Sequence, residues 1–387
     1  MDKTLTAPWP LRPAKPERVG LCSERLRRVD AHVGRLIEQR TIAGAITVIA
    51  RRGRLAHLSC HGQMDAERGV QMREDAIFRL YSMTKPIVCV ATLMLVEEGA
   101  MALHDPVSRW LPALADVQVA GADGALTAPR RPITIHDLLT HTGGLTYGLD
   151  YAFRSSCDPA GFIAALAKLP LAAQPGERWN YSLSNDVLGC LIEQLTGERL
   201  DAALARMVLR PLGMRDTAFT VAPAKRKRLT VLYQHDAENR IVRRDDEEHP
   251  YLVEPSFISG GSGLTGTASD YLRFALMLLR GGELDGVRLL SPKTVELMRQ
   301  DHLPPGHPPI EPYRFGYGYG VSVVRSLAEK QGLCSVGEFG WGGAAGTNCW
   351  IDPQEDMVSM VMYQLKPSQV PQIDHRIKTI LTQAVVG

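Results

Sequence analysis

Several features that would assign a function at once are missing from this 387-residue chain. Its seven cysteines, Cys22, Cys60, Cys89, Cys157, Cys190, Cys334 and Cys349, are scattered, odd in number and never spaced C-x-x-C. That set fits neither a disulfide framework nor a thiolate zinc site, and reduced thiols are expected in the cytoplasm. H-E-x-x-H is absent, and His57 and His61 are too far apart on an extended segment to share a metal; no metal or other cofactor is expected. No apolar run approaches the roughly 20 residues that span a bilayer. The opening MDKTLTAPWPLRPAKPERVG lacks the apolar core of a signal peptide, so neither export nor a membrane is expected. Charge of one sign is also lacking: 44 basic and 42 acidic residues leave a formal +2, too little to draw in nucleic acid. The G-x-S-x-G of α/β-hydrolases does not occur, its nearest approach being Gly260-Gly261-Ser262-Gly263-Leu264. GSGLTG (261 to 266) matches G-x-G-x-x-G, but no convincing strand precedes it and no βαβ unit follows, which disfavours dinucleotide binding.

What is present is an ordinary globular composition, 45% hydrophobic and long enough for two lobes. Leu26, Val29, Val33 and Leu36 fall at helical spacing in 23 to 40, with Ser23 as a candidate N-cap. Two β-rich runs then flank Arg52-Gly53, the pattern of a hairpin. Helical signals dominate from 83 to about 240, at 83 to 98, 134 to 140, 160 to 168, 183 to 195 and 200 to 209, and again at 267 to 282 with Thr267 or Ser269 as cap and Gly281 as stop. From 316 the period shortens to that of strands, and a last helix follows near 370 to 385. The basic KRKR (225 to 228) and acidic DDEE (245 to 248) read as a solvated loop.

These elements predict an α/β (α+β) fold with a central antiparallel sheet built from two N-terminal and about three C-terminal strands and flanked by helices. A helix-rich subdomain, 83 to 254, is inserted into a discontinuous sheet domain, 1 to 82 and 255 to 387. The active site is expected in the cleft between them.

One short stretch carries chemistry. LYSMTKPIV (80 to 88) places Ser82 three residues before Lys85 at the mouth of IVCVATLMLV, a run apolar on every helical face and therefore buried. Ser82 reads as an ordinary helix cap or as a nucleophile. In the second case Lys85 is its base if burial or nearby cations lower the amine enough to be neutral. Pro86 is compatible with a first helical turn. Downstream, Tyr181 follows a Pro-Gly loop and precedes another apolar helix, where a phenol can be presented into a cleft as a general base. EFGWGGAAGTNCW (338 to 350) is glycine-dense between two strand candidates, the composition that lets backbone N–H groups approach an oxyanion.

In this order, Ser82-Met83-Thr84-Lys85, Tyr181-Ser182-Leu183 and Trp341-Gly342-Gly343 resemble the S-x-x-K, S-D-N and K-T-G series of the serine penicillin-recognising enzymes. The resemblance is to the class C β-lactamase-like branch, and most of all to its family VIII carboxylesterases. DLLTHTGGLTYG (137 to 148) and the stretch 260 to 282 are similar to segments of the same family. The resemblance implies a β-lactamase/transpeptidase-like fold, Ser82 as acylated nucleophile, and Lys85 with Tyr181 as the proton-handling pair. It also implies an oxyanion hole from the N–H groups of Ser82 and Ala344, bordered by Trp341, Gly342 and Gly343, and a place for Tyr147 in the site wall. Leu183 stands where a β-lactamase has an amide and Trp341 where it has a cation; both changes favour a small neutral ester over a charged β-lactam. The expected activity is therefore that of a carboxylesterase on short to medium acyl chains. β-Lactamase, D-Ala peptidase or acyltransferase activity on the same fold, or a non-catalytic acyl-ligand binder, are the alternatives.

Overall fold

The computed structural model describes residues 9 to 244, 251 to 367 and 373 to 387; the acidic run 245 to 248 lies outside them. At its centre is one antiparallel sheet of eight strands. We number them β1 (Gly44–Arg51), β2 (Arg54–Asp65), β3 (Val70–Gln71), β4 (Gly316–Tyr317), β5 (Ser322–Val323), β6 (Phe339–Gly343), β7 (Thr347–Asp352) and β8 (Met357–Met362). Their order is β4-β5-β6-β7-β8-β1-β2-β3, so the N-terminal strands meet the C-terminal ones where Ile46 faces Met362 and Arg51 faces Met357. Arg52 and Gly53 both have positive φ, 51° and 68°, which is what a two-residue hairpin between twisted strands requires. Eight strands replace the expected five because β3, β4 and β5 are two-residue pairings, too short to show a period in sequence.

The sheet is covered on both faces, and β1 is buried along its whole length. Ile46, Val48 and Ala50 enter the larger apolar cluster, which also holds Ile87, Val90 and Leu93 of α2 (Thr84–Glu97) and Leu272 and Leu276 of the helix Ala268–Leu279. Ala45 and Ile49 point the other way, toward Val29 and Val33 of α1 (Ser23–Glu38) and Ile377 and Leu381 of the helix Ile373–Thr382. Burying each such side chain is worth about 1.5–3 kcal/mol, so the alternation fixes the register of β1. The larger cluster continues through α2 into α3 (Ile135–Thr140) and α4 (Ser184–Thr196), where Leu138, Leu188 and Leu191 join it.

Local signals explain most boundaries. Thr134 and Asp137 form a reciprocal capping box at the start of α3, and Thr267 rather than Ser269 caps Ala268–Leu279, with Gly281 in the left-handed region beyond its end. Ser23 is not a cap: it is the first residue of α1, and its N–H is satisfied by Glu17 Oε1 at 3.0 Å instead. The 200 to 209 helix divides into an α-helical Leu200–Leu204 and a π-helical Ala205–Leu209. Helices at Tyr151–Ser156 and Pro292–Met298 were not expected. The basic run is more than a solvated loop, because Lys225 and Arg228 pair with Asp216 and Arg228 also reaches Asp75. All seven cysteines are free. Among the described residues, no helix is long and apolar enough to cross a membrane.

Candidate active site

Ser82 lies in the 3₁₀ turn Tyr81–Met83 that leads into α2. Its neighbour Tyr81 has φ 45°, a left-handed conformation that an aromatic residue adopts only when its surroundings enforce it, at a cost of about 1–3 kcal/mol. Three hydrogen bonds supply that enforcement: Leu80 N–H to Leu264 O at 2.9 Å, Tyr271 OH to Met83 O at 3.2 Å and Leu264 N–H to Thr84 Oγ1 at 3.1 Å. The serine is thus held on a bent, fixed backbone.

One turn on, Lys85 is 1% exposed. Its ammonium donates to Ser82 Oγ at 3.1 Å and to Gly261 O at 2.8 Å, and stands 4.6 Å from the centre of the Tyr181 ring. Burial alone pulls the lysine pKa down, but the phenols of Tyr181 and Tyr147 around it, with Asp186 behind, outweigh burial, and the net direction is upward. The condition under which Lys85 would be the base, an amine lowered enough to be neutral, is thus opposed by its surroundings.

GSGLTG supplies, through Gly261, the carbonyl that fixes this lysine. Gly261 in turn aims its N–H at Asp186 Oδ1, 3.4 Å away, which also accepts Ser259 Oγ–H at 2.6 Å. A Cβ on Gly261 would lie 2.6 Å from Asp186 Oδ2, so only glycine fits. Asp186 and Ser259 carry no signal in sequence beyond being polar residues beside motifs.

Tyr181 arrives from the loop just before α4 and sits among aromatic rings. Trp179 stacks on it at 5.7 Å, Tyr147 and Trp341 each lie 5.7 Å away, and Trp341 Nε1–H points at its hydroxyl at 3.4 Å. Tyr147 is 44% exposed yet also interacts with Lys85, placing it at the mouth; burial pushes its phenol up. His141 is fully buried, 4.8 Å from the Tyr181 ring, and was missed in the sequence. Burial pushes its imidazole well below the usual range, so it is neutral.

The glycines of β6 let the strand end against the serine turn. A Cβ on Gly343 would fall 2.3 Å from Leu80 O, so glycine alone allows this approach. Ser82, Trp341, Gly342, Gly343 and Ala344 all line one cavity of about 450 Å³, together with Tyr181, Trp179 and Phe315. Its border includes the free edge of β6, because β5 pairs only with Phe339 and Gly340. Leu183 does not line it: that side chain is buried in the core. His57 and His61 face Thr47 Oγ1 at 2.8 Å and Asp30 at 3.1 Å, and among the described residues no cluster of ligands could hold a metal. A hydroxyl beside a buried ammonium, a phenol and a strand edge can support acyl transfer.

Known proteins resemble this chain over most of its length. The Beta-lactamase family matches residues 29–383. The chain is 39% identical to Protein Rv1367c of Mycobacterium tuberculosis over 348 residues, 84% of this chain and 86% of that one. It is 36% identical to Esterase EstB of Burkholderia gladioli over 355 residues, with the same two coverages. Among solved structures, EstCE1, described as a hydrolase with promiscuous acyltransferase activity, superposes with a TM-score of 0.80 at 29% identity, covering 94% of this chain and 99% of its own. The nucleophile turn, the tyrosine ahead of α4 and the Trp-Gly-Gly strand thus stand in a chain that belongs to the Beta-lactamase family and, within it, to the family VIII esterase branch.

Proposed function

We propose that this serine carboxylesterase cleaves small neutral esters of short to medium acyl chain through an acyl-enzyme on Ser82. The observation that carries the assignment is Lys85, buried and hydrogen-bonded to Ser82 Oγ while facing the Tyr181 ring. Tyr181, whose ring faces the Lys85 ammonium, is the proton acceptor. Ser82 Oγ attacks the ester carbonyl carbon as its proton passes to Tyr181. The N–H groups of Ser82 and Ala344 take up the developing oxyanion. Tyr181 returns the proton to the departing alcohol, and water, deprotonated by the same group, releases the acid.

Trp341, Phe315 and Trp179 give the cavity an apolar, aromatic wall suited to an uncharged acyl group. Ser82 stands at the junction of a discontinuous sheet domain (1 to 82 and 255 to 387) and a helix-rich one (83 to 254); Tyr181 comes from the second and Trp341 from the first. Seven free cysteines fit a cytoplasmic protein whose partner is a small-molecule ester. Transfer of the acyl group to an alcohol other than water uses the same intermediate, and the promiscuous acyltransferase activity of EstCE1 favours it as a second reading. Incubation with a fluorophosphonate, followed by peptide mass spectrometry, tests the nucleophile. Stoichiometric labelling at Ser82 with loss of p-nitrophenyl butyrate turnover is expected; an unlabelled, still active protein would refute it.

A further inference from the structure

The cavity does not stop at the aromatic wall. It crosses the free edge of β6 and continues on the other face of the sheet, where Lys330, Glu338, Asn348, Asp374 and His375 line it. Along β6 the walls change from Ala344 and Gly343 beside Ser82 to Glu338 just before the strand. At about 3.3 Å per residue those ends are roughly 15–20 Å apart. One end is made for a reacting ester and the other is polar.

The balance of charge at the far end is uneven. Glu338 is buried and engaged by the ammonium of Lys378, which also stands over the Trp350 ring. Lys330, closing a short helix (Leu327–Lys330), donates to Tyr313 O at 2.7 Å and lies within ion-pair distance of no carboxylate among the described residues. Lys378 takes the Glu338 carboxylate, and an ammonium has three donors, so Lys330, bonded to the Tyr313 carbonyl, keeps capacity for a ligand. Burial and Lys378 push Lys330 down to about 8, and burial with both lysines pushes His375 down to about 4. Asn348 Nδ2 is buried with no hydrogen-bond partner, which normally costs about 1–3 kcal/mol. Asp374 Oδ1 is buried and unpartnered too, and burial raises that carboxyl above its usual value.

We infer that this far compartment binds a carboxylate carried at the distal end of one arm of the ester, with Lys330 as counter-ion and Asn348 as second donor. An anion there would supply the missing partner of Lys330 and satisfy the Asn348 amide, while the aliphatic part of the arm runs along the wall made by Trp341 and Phe315. A short acyl ester fills only the first part of the cavity. The substrate class is thus the half-ester of a long dicarboxylic acid, or an ester whose alcohol bears a remote carboxylate. The inference rests on the ester-hydrolase reading for what happens at Ser82, but its test does not.

Binding to the non-acylating Ser82→Ala protein, followed through the fluorescence of the cavity tryptophans, separates the two. The probes are monomethyl adipate, monomethyl dodecanedioate and their dimethyl counterparts. The long half-ester is expected to bind at least ~10-fold more tightly than the long diester, with a preference that shrinks as salt is raised; the adipate pair should show no preference. Adding Lys330→Met should reduce the preference to about 1, whereas Lys330→Arg should retain it. Equal binding of long half-ester and diester, or a preference that survives Lys330→Met, would overturn the inference. Either result leaves the Ser82 labelling experiment untouched, so failure of the carboxylate compartment and failure of the esterase reading are distinguishable.

Discussion

His141 brackets Tyr181: its carbonyl oxygen accepts the Asn180 N–H at 2.8 Å, and its Nδ1 accepts the Ser182 N–H at 3.3 Å. Both neighbours of the proposed base are tied to one buried residue, Asn180 to its backbone carbonyl and Ser182 to its neutral ring, and that residue is itself held at φ 57° where α3 ends. A shift of about 1 Å in a catalytic group can cost ~10²-fold, so His141→Ala should lower kcat by about that factor with KM nearly unchanged. Asparagine tolerates the left-handed backbone and offers an oxygen in place of Nδ1, so His141→Asn should recover most of the rate. Full activity in the alanine variant would mean that the bracket does not position Tyr181.

For the reacting groups, Ser82→Ala should cost ~10³-fold or more in kcat/KM toward p-nitrophenyl butyrate. Lys85→Ala and Tyr181→Phe should each be similarly severe, since the two side chains act as one unit. The double variant should then be little worse than either single one, a non-additivity that steady-state kinetics reads directly. Near-normal rates in either single variant would break the pair.

Gly343→Ala probes the approach of β6 to the nucleophile turn. The added methyl meets Leu80 O at 2.3 Å and Thr347 Oγ1 at 2.4 Å, and the first of these is backbone that cannot swing aside. The strand end and Ala344 must move off Ser82. A fall in kcat of about 10²-fold is expected with a folded protein by circular dichroism, and unchanged kinetics would remove Ala344 from the oxyanion hole.

Asp270 gives a pH signature unrelated to catalysis. Burial is the main cause that raises its carboxyl from 3.8 to about 6, although its Oδ2 accepts from Asp216 N–H at 2.7 Å and Thr217 Oγ1 at 2.9 Å. A carboxyl whose folded pKa is raised favours the fold below its unfolded value and loses that contribution as pH climbs through the folded one. The window is pH 4 to 6, and the loss is on the order of 2–3 kcal/mol. Asp270→Asn keeps an acceptor and cannot ionise. Urea unfolding at pH 4 and pH 7 should show the variant gaining on the wild type by that order across the window; a constant difference would refute it.

The sequence carried these features unequally. The hairpin at Arg52-Gly53 and helix α2 were legible because each rests on a local rule, positive φ in the turn and apolar residues on every helical face. Ser82, Lys85, Tyr181 and Trp341 were legible as motifs. His141 was not, because its role depends on Asn180 and Ser182, some forty positions away, and its own segment reads as a glycine loop. The electrostatics of Lys85 were not legible for the same reason, since the groups that raise it, Tyr181, Tyr147 and Asp186, come from distant segments. Leu183 was given a part in substrate choice, yet it faces the core.

The pairing of β1 with β8 has a consequence for how the enzyme comes into being. Ile46 leaves the ribosome roughly 300 residues before its partner Met362. Until then β1, apolar on both faces, has only its hairpin mate, and β6, lying between β5 and β7, cannot be docked against the serine turn. Contacts of such long sequence separation form slowly. The nascent chain therefore carries Ser82 and Lys85 for most of synthesis without an oxyanion hole, and hydrolytic power arises only when the final strands close the sheet.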